Sequence, residues 1–289
     1  MQIAKDKAME SIVLKCPAKI NLSLDILGKR SDGYHEINTV MQTISLEDKV
    51  TISKAIGFSI SIKGAHLPTD DNNIAMKTAK IMFETFGISN GVDIHIEKHI
   101  PVAAGLAGGS TDAAGVIQGI DKLFELNLTK KQMFDIGRQV GSDVPYLIQK
   151  GTALCTGRGD IIKPLKTLIG FNVLIAKPRI SVSTKEVYDN LKLNLINKRP
   201  NNDVILKCIE ENNIQLLAQN LVNVLETVTI PIHKEIEDIK KIMMEHGALG
   251  ALMSGSGPTV FGIFREENTK QCYDYLKSKL DEVYIAQMV

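Results

Sequence analysis

Hydrophobic residues recur at every second position in several short stretches of the first half of the chain, and this spacing predicts β-strands. Such stretches, in which β-branched residues are frequent, cover residues 11–16, 19–27, 49–53 and 57–63. The clearest alternation is that of Val92, Ile94 and Ile96 with polar residues. We expect this last strand to be half buried, with one face on the core.

Three helices are predicted in the same half from hydrophobic residues at three- and four-residue spacing. They cover residues 73–86, a stretch after residue 109 that carries Ala113, Val116, Ile117, Ile120 and Phe124, and residues 129–140. Thr129 is a suitable N-cap for the third helix, and Gly141 is a suitable stop.

The pattern restarts beyond Gly159. Strands are predicted at residues 171–176, 248–253, 259–264 and 283–286, and helices at 183–193, 204–210, 233–246 and 268–280. Because strands and helices are mixed without the alternation of a doubly wound parallel sheet, the pattern predicts an α+β fold. Gly157, Gly159 and Pro164 mark a boundary, so we expect two domains, residues 1–160 and 161–289.

Composition excludes several classes of function. The 34 Lys and Arg residues against 33 Asp and Glu residues give a net charge of +1, so no overall field attracts nucleic acid or an anionic membrane. Aromatic residues are 5% of the chain and Trp is absent, which leaves little material for stacking along single strands. We therefore expect neither a nucleic-acid partner nor a membrane partner.

The cysteines and histidines do not form a metal-binding pattern. The four cysteines are far apart in sequence: Cys16, Cys155, Cys208 and Cys272. The six histidines are dispersed apart from His95 and His99, for which a solvated strand end is the better interpretation. We therefore expect no metal site built from the protein's own cluster of ligands.

Targeting signals are also missing from the pattern. Residues 1–15 contain Asp6 and Glu10 and no hydrophobic core of signal-peptide length. No stretch approaches the ~18 apolar residues that a membrane-spanning helix needs. The interpretation is a cytoplasmic protein with reduced thiols.

The most informative stretch is a glycine-rich loop that follows a predicted strand and opens a predicted helix. Its residues are Pro101, Val102, Ala103, Ala104, Gly105, Leu106, Ala107, Gly108, Gly109, Ser110 and Thr111, with Asp112 after them. Glycines let the backbone approach phosphate oxygens, and a helix N-terminus supplies unpaired N–H groups with positive partial charge. Ser110 and Thr111 add hydroxyl groups, and Asp112 could hold a cation. Alternatively, the glycines only let the helix pack on a sheet, and the loop by itself leaves both interpretations open.

Other phosphate-binding motifs do not fit this loop. It lacks the spacing and the lysine of a Walker A motif, and it is not the G-x-G-x-x-G dinucleotide fingerprint. The H-R-D and D-F-G motifs of protein kinases are missing as well. A phosphate bound here would therefore need a lysine from elsewhere in the chain.

The predicted strand over residues 19–27 offers that lysine. Its polar residues share one face, opposite the hydrophobic ones: Lys19, Asn21, Ser23 and Asp25. Such a row is often a solvated face. The alternative is that Lys19 and Asn21 line a cleft and point at an anion or at a polarised hydroxyl group.

Asp143 is the candidate carboxylate. Val144, Pro145 and Tyr146 follow it and would partly desolvate it. Asp143 could cap a short helix that begins at Val144, and this role is compatible with a chemical one. Beside a lysine the carboxylate would stay ionised and could accept a hydroxyl proton as a nucleophile attacks phosphorus.

A second glycine-rich turn lies between two predicted strands, at residues 254–259. A simple hairpin explains such a turn in most proteins. A second backbone nest facing the first loop requires that the two domains meet there.

Taken together, the segments around Lys19, residues 101–112 and residues 250–261 resemble the three motifs of the GHMP kinases, a superfamily that includes galactokinase, homoserine kinase, mevalonate kinase and phosphomevalonate kinase. Residues 17–24 and 30–37 most resemble the branch that acts on 4-diphosphocytidyl-2-C-methyl-D-erythritol in non-mevalonate isoprenoid synthesis. The resemblance runs from about residue 15 to residue 264.

This resemblance implies a two-domain fold. It comprises an N-terminal ATP-binding domain with a mixed sheet and helices, a C-terminal ferredoxin-like domain, and an active site in the cleft between them. It implies transfer of a phosphoryl group from ATP, with Mg²⁺, to the C2 hydroxyl of the cytidine substrate. Lys19 and Asp143 would be the catalytic pair, with Asp143 either the general base or an electrostatic positioner. Residues 101–111 would bind the ATP phosphates, supported by the turn at residues 254–259.

The resemblance also implies a substrate pocket. The Tyr34 ring would stack on cytosine, His35 would read its polar edge, and Tyr188 would lie on the opposite side of the base. Asn21 and Thr184 would contact the erythritol and phosphate portion. We expect only small-molecule partners for a monomer or homodimer.

The chain departs from this family at three positions. We expect Ala107, where many relatives have Gly, to require a negative φ and so to alter the loop. Asp112 in place of Asn adds a negative charge that Mg²⁺ or a lysine must balance. Tyr188 replaces a common Phe and keeps the ring.

Two other functions stay open at this stage. One is a GHMP kinase of another small alcohol, such as homoserine or mevalonate, which the residues around Tyr34 and His35 disfavour. The other is a non-catalytic nucleotide- or RNA-binding module, which the near-zero net charge and the Lys19–Asp143 pair disfavour.

Overall fold

The computed structural model describes residues 10–289. The first part of the chain forms strands β1 (Ser11–Lys29), β2 (His35–Ala55), β3 (Ser59–Lys63), β4 (Gly91–Glu97), β5 (Thr152–Thr156) and β6 (Ile161–Pro164), and helices α1 (Ile74–Phe86), α2 (Gly108–Leu123), α3 (Lys130–Val140) and α4 (Val144–Gln149). The later part forms strands β7 (Asn172–Lys177), β8 (Val222–Asn223), β9 (Gly250–Met253), β10 (Val260–Phe264) and β11 (Glu282–Gln287). Its helices are α5 (Thr184–Asn190), α6 (Asn202–Glu210), α7 (Ile214–Gln219), α8 (Glu226–Ile232), α9 (Lys234–Glu245) and α10 (Glu266–Lys277).

Seven strands form the first sheet, in the order β3-β4-β2-β1-β8, with β5 on β2 and β6 on β5. The long antiparallel pair of β1 and β2 forms the centre of this sheet. On its other edge, β2 pairs with β5 along its first half and with β4 along its second half. Helices α1 and α2 cover one face, where Val50 and Ile52 of β2 pack with Val116 and Ile117 of α2. The predicted mixed sheet with helices is confirmed.

The second sheet is antiparallel throughout, in the order β11-β7-β10-β9. With α9 before β9 and α10 before β11, this part of the chain follows the β-α-β-β-α-β path of a ferredoxin-like fold. A hydrophobic cluster that includes Ile20 and Leu22 of β1 and Ile175 and Phe261 of the second sheet joins the two halves. The predicted two-domain α+β architecture is therefore confirmed.

The last strand of the first sheet before the change ends at Pro164, and the first strand of the second sheet begins at Asn172. Strand β8, although it comes later in the chain, pairs with β1 of the first sheet. Residue 160, where the sequence places the domain boundary, lies inside the β5–β6 hairpin. The division into residues 1–160 and 161–289 stays a proposal, and the sheets favour moving its boundary a few residues past 160.

The predicted helices over residues 73–86 and 129–140 are confirmed. Asn73 caps α1 by accepting a hydrogen bond from Ala75 N. Thr129 and Gln132 form a reciprocal capping box on α3, and the chain leaves the helix at Gly141.

Strand lengths were underestimated. The two predicted opening strands are one strand with a register shift between Pro17 and Lys19, because a bulge lets the chain continue past the proline. Residues 35–48 belong to β2, although their hydrophobic pattern is that of a strand buried on both faces and does not alternate cleanly. Elements α7, α8 and β8 were not predicted because each is short.

The polar row on β1 is not a solvated face. Lys19, Asn21, Ser23 and Asp25 are all buried. The start of α6 covers part of the row, since Ser23 Oγ donates to Asn202 Oδ1 over 2.7 Å. This outcome favours the interpretation in which the row lines a cleft.

Among residues 10–289, no helix is both long and apolar enough to cross a bilayer. The four cysteines are buried and unpaired. Residues 1–9, including Asp6, lie outside the described part of the chain.

Candidate active site

A cleft of about 880 Å³ opens between the two halves of the molecule. Its walls include Lys19 of β1, Asp143 before α4 and Tyr188 of α5. The glycine-rich loop and the second glycine turn also line it. Residues that the sequence places far apart therefore meet in one cavity.

Lys19 is buried at the floor of this cleft and is held by fixed acceptors. Its Nζ donates to Asn21 Oδ1 over 2.7 Å and to the Gly105 carbonyl over 3.2 Å. An ammonium group has three donors, so one remains for the cleft. Asp143 Oδ2 lies 3.7 Å from Nζ. The structure thus brings together the predicted catalytic pair.

Asp143 occupies the N-cap position of α4, but its side chain makes no capping hydrogen bond. The predicted alternative, that the carboxylate caps the helix, is therefore wrong, because the residue adopts a helical φ of −81° and ψ of −15° that turns the carboxylate elsewhere. The side chain is 31% exposed and faces Lys19. A carboxylate placed this way can accept a proton or orient a hydroxyl group.

The glycine-rich loop ends at the N-terminus of α2. The first intrahelical hydrogen bond runs from Thr111 N to the Ala107 carbonyl, so the N–H groups of Gly108, Gly109 and Ser110 precede the helical pattern and have no partner within it. These groups carry the positive end of the helix dipole. The geometry is suited to phosphate oxygens.

Ala107 adopts φ 58° and ψ 33°, so the expectation that it requires a negative φ is wrong. The left-handed region is allowed for alanine at a cost of roughly 1–2 kcal/mol. Ala103 adopts φ 50° in the same loop. The tight entry into α2 imposes this conformation, and the fully buried side chain of Leu106 anchors the loop against the core.

Not every residue of the loop lines the cleft. The cleft walls include Pro101, Val102, Ala103, Ala104, Gly105, Ala107, Gly108, Gly109 and Ser110. Leu106 points into the core between the sheets, and Thr111 is 1% exposed with its Oγ1 lacking a hydrogen-bond partner. The assignment of residues 101–111 to ATP stays a prediction.

The two glycine-rich turns are in contact, as the second interpretation of residues 254–259 required. Ser254 Oγ donates to the Gly105 carbonyl over 2.9 Å. A Cβ on Gly105 would lie 2.1 Å from the Ser254 carbonyl oxygen, so only glycine fits there. On the other side of the turn, the Cβ position of Gly255 is 3.5 Å from Lys19 Nζ. The second turn therefore supports the loop, and its Gly255 leaves the space beside the lysine free of a side chain.

A buried charge cluster lies beneath the loop. Lys98 Nζ donates to Asp112 Oδ2 over 2.7 Å and to Asp48 Oδ2. The other oxygen of Asp48 accepts the N–H groups of His99, over 2.6 Å, and Ile100, over 2.8 Å. Lys98 is therefore a lysine that offsets part of the extra charge of Asp112, and the cluster fixes the start of the loop.

One lysine does not fully balance two carboxylates. Burial, more than the opposing effect of Lys98, raises the pKa of Asp112 to about 7, and the charge of Asp48 adds to the rise. The pKa of Lys98 is raised in turn, because the two carboxylates outweigh its burial.

The pocket predicted for a base lies at one end of the cleft. Tyr34, in the turn between β1 and β2, lines it and is 53% exposed. The rings of His35 and Tyr188 pack with centroids 5.1 Å apart. Burial, with a smaller effect of Lys29, lowers the pKa of His35, so the imidazole is neutral near pH 7. Burial raises the pKa of the Tyr188 hydroxyl well above its usual range, aided by Asp143.

Two other predicted substrate contacts have protein partners. Asn21 accepts from Lys19 and donates from Nδ2 to Thr39 Oγ1 over 2.9 Å, so both ends of its amide are bonded and the residue holds Lys19 in place. Thr184 Oγ1 lies 2.8 Å from Ser256 Oγ, which links α5 to the second glycine turn. Their roles as substrate contacts stay predictions.

Sequence patterns did not single out Lys98 and Arg158, which also line the cleft, whereas Ser256, a third lining residue, belongs to the second glycine-rich turn predicted at residues 254–259. Lys98 follows an alternating strand and is followed by a histidine, which is typical of a solvated strand end. Arg158 lies in what was interpreted as a domain boundary. The proline–glycine spacing around Ser256 was the one usable signal.

The comparisons with known proteins agree with this geometry. The chain matches the description "GHMP kinases N terminal domain" over residues 73–151 and "GHMP kinases C terminal" over residues 205–282. It is 50% identical over 285 residues to the 4-diphosphocytidyl-2-C-methyl-D-erythritol kinase of Acetivibrio thermocellus, a match that covers 97% of this chain and 100% of the relative. The enzyme of the same name from Clostridioides difficile is 48% identical over 281 residues, covering 96% of this chain and 95% of the relative.

Solved structures give the same result. A crystal structure of 4-(cytidine 5'-diphospho)-2C-methyl-D-erythritol kinase matches with a TM-score of 0.82 and 28% identity, covering 96% of this chain and 99% of the other. Homoserine kinase from Cytophaga hutchinsonii matches with a TM-score of 0.78 at 19% identity, covering 99% and 98% of the two chains, and shows the shared fold.

Proposed function

The chain belongs to the GHMP kinase family, and from this premise we propose that it transfers the γ-phosphoryl group of ATP to the C2 hydroxyl of 4-diphosphocytidyl-2-C-methyl-D-erythritol, giving the 2-phosphate and ADP. This step belongs to the non-mevalonate synthesis of isoprenoid precursors. The observation that carries the proposal is the approach of Asp143 to within 3.7 Å of Lys19, beside the open N-terminus of α2.

The residues at the mouth of α2 fit a triphosphate. The N–H groups of Gly108, Gly109 and Ser110 lie where the helix dipole favours negative charge, and Gly105 lets the loop pack closely on the second glycine turn. ATP, when bound, supplies the phosphoryl group. These residues would fix the phosphates so that the γ-phosphorus faces Lys19 and Asp143, because alignment and charge neutralisation provide most of the catalysis in phosphoryl transfer.

Mg²⁺ fits as an ion that arrives with ATP. Among residues 10–289, no group of three or more His, Cys, Asp and Glu side chains could hold a metal ion by itself. Mg²⁺ commonly keeps several waters and uses substrate phosphates with one or two protein oxygens. The Ser110 hydroxyl lines the cleft and would provide such an oxygen, whereas the Asp112 carboxylate is bonded to Lys98. Bound there, Mg²⁺ would neutralise phosphate charge.

Lys19 and Asp143 act on the acceptor. The remaining Lys19 donor would hold the acceptor oxygen and offset negative charge as the phosphoryl group moves. Asp143 would accept the hydroxyl proton through its exposed oxygen, since no capping bond competes for it. The hydrogen bonds of Lys19 to Asn21 and to the Gly105 carbonyl keep the ammonium group from moving into closer contact with the Asp143 carboxylate.

The cytidine end of the substrate would bind in the pocket away from the reacting hydroxyl group. Tyr34 and Tyr188 offer aromatic faces, and the neutral His35 offers a ring nitrogen for hydrogen bonding. Binding energy from this remote group can position the reacting hydroxyl. The cytoplasmic location and the monomeric or homodimeric state stay predictions.

A coupled assay of ADP formation tests the proposal directly. Purified protein with ATP, Mg²⁺ and 4-diphosphocytidyl-2-C-methyl-D-erythritol should form ADP and a product phosphorylated at C2. Homoserine and mevalonate are the control acceptors and should give rates at least about a hundredfold lower, since neither can fill the base pocket. Faster turnover of either control, or ATP binding without turnover of any acceptor, would contradict the proposal.

A further inference from the structure

The two aromatic walls of the base pocket are held very differently. Tyr188 lies on α5, packs against a hydrophobic cluster that includes Val187 and Leu225, and contacts the His35 ring. Tyr34 lies in the turn between β1 and β2, and the residue is 53% exposed. The side chain of such an exposed residue loses conformational entropy when it stacks on a ligand, unless another group already holds it in place.

Arg158 is such a group. Its guanidinium carbon lies 4.9 Å from the centroid of the Tyr34 ring, within the range of a cation–π contact. A planar guanidinium stacks on one face of an aromatic ring and leaves the other face free. The pairing crosses more than a hundred residues of sequence and joins the β1–β2 turn to the loop between β5 and β6.

The loop that carries Arg158 is itself fixed. Arg158 N donates to Asp160 Oδ1 over 3.1 Å, and Arg158 Nη2 lies 3.6 Å from Asp160 Oδ2. The Gly157 carbonyl accepts Ile37 N over 2.7 Å, and Gly157 N donates to Glu36 Oε1 over 3.1 Å. The backbone just before Arg158 is therefore bonded to the first residues of β2, directly after Tyr34, and the guanidinium is paired with Asp160.

The backbone of the turn is fixed as well. Tyr34 N donates to Asp32 Oδ1 over 3.1 Å, and the Tyr34 carbonyl accepts Arg30 N over 2.8 Å. These bonds place the Cα of Tyr34 but leave the ring free to rotate about its side-chain torsions. The contact with Arg158 restrains that remaining freedom.

We propose that Arg158 is a positioning residue for the substrate: it holds the Tyr34 ring at the mouth of the cleft so that the free face of the ring stacks on the nucleobase. The inference rests on the proposed function and adds a residue that sets affinity for the cytidine end. Arg158 acts through Tyr34 and not on the reacting groups.

The test compares Arg158→Gln, Tyr34→Ala and the double variant in the assay of ADP formation. Arg158→Gln should raise KM for the cytidine substrate about three- to tenfold and leave kcat and KM for ATP within about twofold. The reason is that the contact between Arg158 and Tyr34 affects only the binding of the cytidine end of the substrate. In the Tyr34→Ala background the same change should have no further effect on KM. A full KM effect of Arg158→Gln without the Tyr34 ring would mean that the guanidinium contacts the substrate itself, and it would overturn the proposal.

Arg138→Gln is the matched control. Arg138 Nε lies 3.4 Å from the same Asp160 carboxylate but the structure places Arg138 over Phe134 instead of Tyr34. This variant should leave KM for the cytidine substrate unchanged, and an equal rise would show that Arg158 matters only through Asp160, against the proposal. Turnover by the unaltered protein is measured first. Its absence would refute the proposed function, whereas normal turnover with an unaffected Arg158→Gln variant would refute only this inference.

Discussion

At the scale of single residues, the least expected feature is the sharing of Lys98 by Asp48 and Asp112 beneath the glycine-rich loop. All three side chains are nearly inaccessible to solvent. Removing charges from water is costly, and one lysine offsets only part of that cost for two carboxylates. The folded state therefore favours protonation of Asp112, whose pKa is about 7.

The raised pKa predicts how stability depends on pH. An unfolded Asp has a pKa of about 3.9, so between pH 4 and 7 the folded protein holds a proton that the unfolded chain releases. The contribution of Asp112 to the free energy of unfolding is thus full below pH 4 and falls as pH rises, by on the order of 1 kcal/mol per pH unit. Asp112→Asn should remove this fall, which urea unfolding between pH 4.5 and 8 would measure. Parallel pH profiles for the two proteins would contradict the assigned cause.

The contrast between Lys19 and Lys98 shows what the sequence can reveal at this scale. Lys19 is identifiable because it shares a strand face with other polar residues. Lys98 is not, because its partner Asp48 is 50 residues away and the two meet only through the pairing of β2 with β4. A charge becomes unusual through burial, which residue type and local spacing do not determine.

At the scale of elements, the contact between the two glycine-rich turns couples the loop at residues 101–111 to the second sheet. Gly105 has φ +72°, and a Cβ there would meet the Ser254 carbonyl. Gly105→Ala should therefore lower both stability and catalysis, with kcat/KM for ATP falling about tenfold or more as the loop shifts. Steady-state kinetics at varied ATP concentration and urea unfolding measure the two effects.

Gly87→Ala provides the control for backbone strain. Gly87 ends α1 with φ +60°, and its Cβ position has no neighbour within 4 Å. This substitution should cost about 1 kcal/mol of stability from the left-handed conformation and leave the kinetics unchanged. If Gly105→Ala lowered stability and kcat/KM for ATP no more than Gly87→Ala does, the close contact between the two turns would matter for neither property.

The helices were easier to predict than the strands. Their caps at Asn73 and Thr129 are local signals, and the structure uses both. The continuation of β1 through Pro17 and the length of β2 depend on pairing between distant segments, which a local pattern does not contain. Short elements such as β8 exist only because they pair with β1.

At the scale of the whole molecule, a buried polar residue joins the two sheets. Gln42 of β2 is fully buried, and its Nε2 donates to the Thr43 carbonyl over 2.8 Å and to the Val289 carbonyl over 2.9 Å. Its Oε1 accepts Thr152 Oγ1. The residue thus connects β2 and β5 of the first sheet to Val289, which follows β11, an edge strand of the second sheet.

Replacing this residue tests how far the two sheets stabilise one another. Gln42→Met keeps the volume but leaves buried polar groups short of partners, so the free energy of unfolding should fall by about 1–3 kcal/mol. Gln118→Met is the control, because Gln118 makes one longer bond, 3.3 Å to the Ile148 carbonyl, within the first half. Urea unfolding measures both. Equal losses for the two variants would show that the connection between the sheets adds nothing.

The sequence allowed the fold class, the two-part architecture and the segments that form the cleft to be predicted. It did not specify how those segments meet, since the cleft arises from the hydrophobic cluster between the sheets and from the contact of two turns about 150 residues apart. The expectation for Ala107 failed for the same reason, because contacts of the whole loop override the preference of one residue.

The central claim is that Lys19 and Asp143 form the catalytic pair, and the turnover of Asp143→Asn tests it most directly. With ATP and the cytidine substrate both saturating, kcat should fall by about 10²–10⁴, the usual contribution of a general base, while KM for ATP changes little. The carboxylate makes no capping bond, so the variant should fold with α4 intact. A kcat equal to that of the unaltered protein would remove Asp143 from the chemistry and contradict the account.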